Sequence, residues 1–225
     1  MDNQALKLLI TVGPTKEYID PVRYISNDSS GKMGFAIAEE FYNQGVDIVV
    51  IAGPCQIKSL IPDDRIYRVV SAEEMFKTAS QWFDWCDVAI FTAAVADYRP
   101  AFKLDQKFKK SSTDFQISWI RNPDIAGAFG KQKKDNQISI GFALETENLE
   151  SNATKKLVEK KFDLVLLNSP NNKGEGFHYD TNRVAFFDKN RDIQYHNLKS
   201  KKEVAEDIYN WLETNYKLLT PVRTI

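Results

Sequence analysis

Residues 13–34 hold the first group of side chains whose types and spacing suit phosphate binding. The segment reads Gly13-Pro14-Thr15, then Ile19-Asp20-Pro21-Val22-Arg23-Tyr24-Ile25-Ser26-Asn27, then Ser29-Ser30-Gly31-Lys32-Met33-Gly34. The last six open a helix. Small residues at a helix start leave free amide N–H groups and the positive end of the dipole facing an anion. The same residues also fit a structural role, in which Ser29 and Ser30 cap the helix and Gly34 lets it pack closely on a sheet. A Walker loop requires glycine at 26 and Ser or Thr at 33, where this chain has Ser26 and Met33. The dinucleotide fingerprint Gly-x-Gly-x-x-Gly fails at its first position, Ser29. The second strand also runs into Gly53-Pro54 rather than an acid that would hold a ribose. Both departures disfavour a nicotinamide or flavin oxidoreductase.

A second loop begins Ala93-Ala94-Val95-Ala96-Asp97-Tyr98-Arg99-Pro100 and continues through Lys103, Lys107, Lys109 and Lys110. Small residues leaving a strand let a ligand approach the backbone. Asp97 suits a ribose hydroxyl or a magnesium ion, and the lysines suit a triphosphate. A charge run of this kind also fits a solvated loop. Phe102 and Phe108 punctuate it, however, and imply partial docking.

Alternating strand and helix patterns must position these loops. Residues 6–11, 46–52, 66–70, 88–93, 138–143 and 164–167 read as strands, several of them continuous apolar runs suited to a sheet covered on both faces. Met33, Ile37 and Phe41 fall at four-residue steps on a helix over 31–44. Ser71 with Glu74, and Ser200 with Glu203, match the Ser-x-x-Glu capping box at two further helix starts, the second helix ending near Tyr216. Another helix is expected over about 148–160. Residues 183–187 and 193–198, joined by Asp188-Lys189-Asn190-Arg191, predict an antiparallel hairpin. The pattern predicts one α/β domain over 1–225, a doubly wound and mostly parallel, Rossmann-like sheet with helices on both faces. Ligands bind beyond the carboxyl ends of such strands, which directs attention to loops 13–30, 94–114, 120–125 and 169–180.

The 225 residues carry 30 basic and 31 acidic side chains, a net charge of −1, which argues against bulk binding to nucleic acid. Two cysteines, Cys55 and Cys86, cannot form a disulfide framework, and the apolar stretches are too short for a membrane span. A cytoplasmic location is the expectation.

In order along the chain stand GPTKEYIDPVRYISNDSSGKMG (13–34), AAVADYRP (93–100), KFKK (107–110), NPDI (122–125), GFALET (141–146) and a helix ending at Lys160 before FDLVLLN (162–168). On these segments the chain resembles the phosphopantothenoylcysteine synthetases, the phosphopantothenate–cysteine ligases of coenzyme A biosynthesis, in a stand-alone form without the flavin-dependent decarboxylase domain. KFKK stands where KIKK is usual, and GFALET where GFAAET is common. The resemblance implies amide formation between 4′-phosphopantothenate and L-cysteine through an acyl nucleotidylate, with Mg2+ and CTP (or ATP) but no flavin. It implies a homodimer, with the 183–198 hairpin one candidate contact. It carries over Asn27 and Lys107 as catalytic, Asn27 and Ala94 as substrate-binding, and Asp97 as a magnesium ligand. The nucleotide falls to Gly13, Ser29, Ser30, Gly31, Phe91, Thr92, Ala93, Asp97 and Lys107. It falls also to Pro123, Asp124, Ile125, Ala126, Phe142, Lys156 and Lys160. Neither Cys55 nor Cys86 is needed. A dinucleotide-dependent oxidoreductase and a non-catalytic nucleotide-binding regulator are the alternatives.

Overall fold

Near-continuous apolar runs such as DIVVIA and LVLLN have no polar face to turn to water, so both sides must be covered. The computed structural model describes residues 5–109, 116–168, 176–190 and 192–216. In chain order the elements are β1 (Lys7–Val12), β2 (Lys16–Tyr18), β3 (Tyr24–Ser26), α1 (Lys32–Asn43), β4 (Asp47–Ala52), β5 (Ile66–Arg68) and α2 (Ala72–Trp82). Next come β6 (Val88–Phe91), β7 (Tyr98–Pro100), β8 (Trp119–Arg121), α3 (Ile125–Gln132), β9 (Ile138–Leu144), α4 (Leu149–Glu159) and β10 (Leu164–Asn168). The chain closes with β11 (Thr181–Asn182), β12 (Val184–Asp188), β13 (Ile193–Tyr195), β14 (Lys199–Ser200) and α5 (Lys201–Tyr216).

Eight strands form one sheet in the order β13-β12-β10-β9-β6-β1-β4-β5. The strands from β10 to β5 run parallel, with Leu8 opposite Ile48 and Val88, whereas β12 and β13 join antiparallel. The expected hairpin is therefore an edge of the main sheet; Arg191 in its turn lies outside the described residues. Period-two alternation splits β1 between two cores. Leu8, Ile10 and Val12 pack with Phe35 and Phe41 of α1 and Ile208 and Leu212 of α5. Leu9 joins Met75 of α2, Phe129 of α3 and Leu157 of α4.

Local signals set the element ends. At α5 the capping box is complete: the Glu203 amide donates to Ser200 Oγ at 3.2 Å, and Glu203 Oε2 accepts from the Ser200 amide at 2.8 Å. At α2 only half forms. The Glu74 amide donates to Ser71 Oγ, but its carboxylate accepts from the Val70 amide at 2.7 Å. Val70 also accepts from the Lys16 amide at 2.8 Å, so the strand expected over 66–70 ends at Arg68. The N-cap of α1 is Gly31 at φ 79°, where the left-handed turn suits a residue without Cβ, and the expected serines act from upstream, with the Lys32 amide donating to Ser30 Oγ and the Gly31 amide to Ser29 Oγ at 3.4 Å each.

Gly34 performs the packing role. A Cβ there would lie 2.3 Å from Thr92 Oγ1 and 2.5 Å from Val12 Cγ1, so α1 rests directly on β1 and β6. Gly34→Ala is expected to lower stability by about 1–3 kcal/mol through overpacking, as read from urea unfolding midpoints. An unchanged midpoint would show that the helix can lift away freely.

From β1 the chain moves outward to β4 and β5, then returns to β6 on the other flank of β1. The segments leaving β1 and β6 stay paired beyond the strands, the Ala94 amide donating to the Gly13 carbonyl at 2.9 Å and the Thr15 amide to the Ala94 carbonyl at 3.3 Å, and a crevice opens beside them beyond the carboxyl ends of β6 and β9.

Candidate functional site

A cleft of about 680 Å³ occupies this crevice, a size suited to a small-molecule ligand. Asn27 enters from the loop after β3, and Phe91, Thr92, Ala93, Ala94 and Asp97 from the end of β6 and its loop. Pro123, Asp124, Ile125 and Ala126 line it at the start of α3, Phe142 on β9, and Lys156 and Lys160 at the end of α4. Thus the loops at 93–97 and 122–126, far apart in sequence, meet the α4 lysines in one place.

Five expected residues do not line this cleft. Ser29, Ser30 and Gly31 line a smaller cavity of about 70 Å³ at the start of α1, with Asn168, Asn182 and Lys201. Thr92, Phe142, Leu144 and Phe177 border both cavities. Gly13, at φ 75°, is a backbone turn: a Cβ there would sit 3.2 Å from both Cys55 Sγ and the Gly53 carbonyl oxygen. Lys107 is exposed on a segment tied to the β2–β3 hairpin. The Phe108 amide donates to Asp20 Oδ2 at 3.2 Å, and Arg23 donates to the Phe108 carbonyl at 2.7 Å. Burial works to raise the Asp20 carboxyl. The Arg23 guanidinium and the Val22, Phe108 and Arg23 amides outweigh it and hold that group well below the usual carboxylate range. Lys110, the last lysine of KFKK, lies outside the described residues.

Asn27 does more than turn its own backbone. Its Nδ2 donates to the carbonyls of Ala94 and Val95 at 3.1 Å each, stitching the loop after β3 to the loop after β6. Both amide hydrogens are therefore engaged, and donation to a ligand oxygen requires exchange of one carbonyl. The two α4 cations are also engaged. Lys156 Nζ lies 2.8 Å from Glu145 Oε1, and Lys160 Nζ lies 2.8 Å from Asp124 Oδ1. Asp124 additionally caps α3 by accepting from the Gly127 amide at 3.0 Å. Burial would raise its carboxyl, but Lys160 and that amide hold it below its ordinary value.

Asp97 is exposed in the cleft, and Asp28 and Asp124 line the same space. Among the described residues no group of three His, Cys, Asp or Glu side chains could hold a metal by itself. Mg2+ commonly takes one or two carboxylates, waters and substrate phosphates, so a lone Asp97 fits a nucleotide-borne ion. Burial pushes the thiols of Cys55 and Cys86 up, the latter to about 12, which makes them poor nucleophiles.

Among the cleft residues not singled out from the sequence are Asp28, Arg121, Asn122, Leu144 and Phe177. Asp28, Asn122 and Leu144 sit inside or beside the motifs already singled out and were within reach. Phe177 lies in the 169–180 loop to which the sheet topology directed attention, but its individual place depends on contacts across the fold.

Residues 3–216 match the model of the DNA/pantothenate metabolism flavoprotein C-terminal domain. The chain belongs to that family. Within it, the chain is 42% identical over 216 residues to the coenzyme A biosynthesis bifunctional protein CoaBC of Haemophilus influenzae, covering 96% of this chain and 53% of that protein. It is 43% identical over 202 residues to a cysteine/cysteine sulfinic acid decarboxylase from an unknown prokaryotic organism, covering 90% of this chain and 56% of that one. The chain spans about half the length of these curated relatives. A crystal structure of the C-terminal domain of a CoaBC protein superposes with a TM-score of 0.78 at 36% identity, covering 95% of this chain and 97% of the other. The mostly parallel sheet is thus the family fold. Among the described residues no helix is long and apolar enough to cross a membrane.

Proposed function

We propose that this chain is a cytoplasmic phosphopantothenate–cysteine ligase, a single nucleotide-binding domain that uses CTP in preference to ATP. The observation that carries the reading is the convergence of four separate motif segments on one cleft, in a member of a family that includes the CoaBC C-terminal domain.

The carboxylate of 4′-phosphopantothenate is a poor electrophile. It attacks the α-phosphorus of the nucleotide, forming a C–O–P anhydride as the α–β phosphoanhydride breaks and pyrophosphate leaves. The cysteine amine, in its neutral form, then attacks the acyl carbon, the amide forms, and the nucleoside monophosphate departs with the bonding electrons. Bound Mg2+ would offset phosphate charge, with Asp97 its protein ligand. The chain's own contribution is positioning and charge stabilisation. Lys156 and Lys160 exchange Glu145 and Asp124 for phosphate oxygens. Phe142 and the start of α3 hold the base and ribose, and the small cavity at Ser29, Ser30 and Gly31 receives phosphate at the amino end of α1. Asn27, with Ala94 beside it, donates to the acyl carbonyl oxygen.

Lys107 lies outside the cleft of its own chain. In the proposed homodimer, with sites near the subunit boundary, its contact with nucleotide phosphate is made in the partner's cleft. Exposed apolar side chains suited to such a boundary stand on β13 (Ile193, Tyr195) and on β3 and β8 (Tyr24, Ile25, Trp119, Ile120).

Steady-state rates with each nucleotide test the base preference. The reading expects pyrophosphate release only with phosphopantothenate, Mg2+ and a nucleoside triphosphate together, and a higher kcat/KM for CTP than for ATP. A higher value for ATP would reverse that preference.

A further inference from the structure

Residues 176–180 pack against the start of α1, and Phe177 among them borders both cavities, as do Thr92, Phe142 and Leu144. Residues 176–180 are fastened to α1 and its preceding loop by four contacts. Ser30 Oγ donates to the Phe177 carbonyl, and Lys32 Nζ donates to the His178 carbonyl at 3.1 Å. Lys32 also pairs with Asp180 at 2.6 Å, and His178 Nε2 meets Asp28 Oδ2 at 2.8 Å.

From the other side they are held by a buried cation. Lys201 is only 6% exposed, and its ammonium donates to the carbonyls of Gly176 (3.0 Å), Phe177 (3.4 Å) and Tyr179. Three donors meet three acceptors. The position is expensive twice over. Among the described residues this buried cation gives its hydrogen bonds to carbonyls and has no direct carboxylate partner to offset its lost hydration. As the first residue of α5 it also faces the positive end of that helix's dipole. Neighbouring charges do not relieve it, since Lys32 opposes the ammonium while Asp180 favours it. A lysine whose only task was to begin a helix would point to water, as its neighbour Lys202 does. What Lys201 obtains from burial is the placement of three carbonyls of the 176–180 segment, and with them Phe177, which borders both cavities.

We propose that Lys201 is a positioning residue for the ligand cleft: by gathering the carbonyls of residues 176, 177 and 179 it fixes Phe177 as the shared wall between the two cavities. This rests on the reading that the cleft takes a nucleoside triphosphate, with its base in the larger cavity and its phosphates reaching from there past that wall into the smaller one.

Calorimetric titration of the whole chain with CTP and Mg2+ tests it without requiring turnover. Lys201→Met keeps the stem and removes the donors, and its Kd for CTP is expected to rise about tenfold, a coupling of ordinary size for residues in contact. Phe177→Ala should weaken CTP by a similar factor, and the double variant should be no weaker than the worse single one, because Lys201 acts through Phe177. Lys201→Gln, with two amide donors for the same carbonyls, should fall between Lys201→Met and the parent. It decides the matter with Phe177→Ala if Lys201→Met does not fold. A folded Lys201 variant that binds CTP like the parent, or single losses that multiply in the double variant, would overturn the proposal alone. Binding of neither CTP nor ATP by the unsubstituted chain would overturn the functional reading with it, and that is seen in the parent titrations.

Discussion

Asn27→Ala is expected to keep its melting temperature and to lose about 100- to 1000-fold in kcat, the usual cost of removing one donor to a developing oxyanion. The side chain is exposed, so little packing is lost. Its two 3.1 Å bonds to the Ala94 and Val95 carbonyls are exposed too, and each contributes on the order of 1 kcal/mol or less to folding. What the amide supplies is a neutral donor at the meeting point of two loops, placed where charge gathers on the acyl oxygen during amine attack. Asn27→Asp separates geometry from donation. It matches the parent in size but replaces donors with a carboxylate facing two carbonyl oxygens, and it should be at least as slow. Single-turnover rates for both variants, with thermal unfolding as the control, make the check. Parent-like amide formation in Asn27→Ala would take Asn27 off the catalytic list.

The second large effect concerns the nucleotide. Replacing Lys156 and Lys160 together by alanine should raise the Kd for CTP about 100-fold or more, since hydrogen bonds to charged groups contribute about 1.5–3 kcal/mol each. The two residues lie four apart at the end of α4, so both ammonium groups face the cleft from one helical face. Stability should change modestly, because the Lys160–Asp124 and Lys156–Glu145 pairs are both partly exposed and surface pairs contribute about 0–1 kcal/mol each. Phosphopantothenate affinity should stay near its parent value. Titration of each ligand separately distinguishes the outcomes, and selective loss of phosphopantothenate binding would move the cations to the other substrate.

How much of this was legible beforehand depended on whether a residue's partner was near in sequence. Strand runs such as residues 46–52 and the complete capping box at Ser200 and Glu203 are local features, and they stand where the sequence placed them within a residue or two. The strand at 66–70 ended early because the distant Lys16 amide takes the Val70 carbonyl. Helix α3 went unread, although Asp124 followed by Ile125 and Phe129 at four-residue spacing offered a cap and an apolar face. The β7–β8 pairing joins Tyr98 to Arg121 across a long segment, which no local pattern announces. At the site, most residues of the motif segments line one cleft. The Ser29–Gly31 stretch opened onto a second, smaller cavity instead, with Thr92, Phe142, Leu144 and Phe177 bordering both. Lys201 could not be singled out, as its acceptors at 176–179 lie more than twenty residues away.

The central claim is that one cleft first activates an acid and then transfers it to an amine. Mixing the purified chain with CTP, Mg2+ and phosphopantothenate, leaving out cysteine, tests this most directly by rapid quench and mass spectrometry. The account predicts a burst of pyrophosphate matched by an acyl-cytidylate, which cysteine then converts to the amide with release of CMP. Formation of CDP and inorganic phosphate in place of pyrophosphate, or no acyl-nucleotide and no amide with either CTP or ATP, would contradict it.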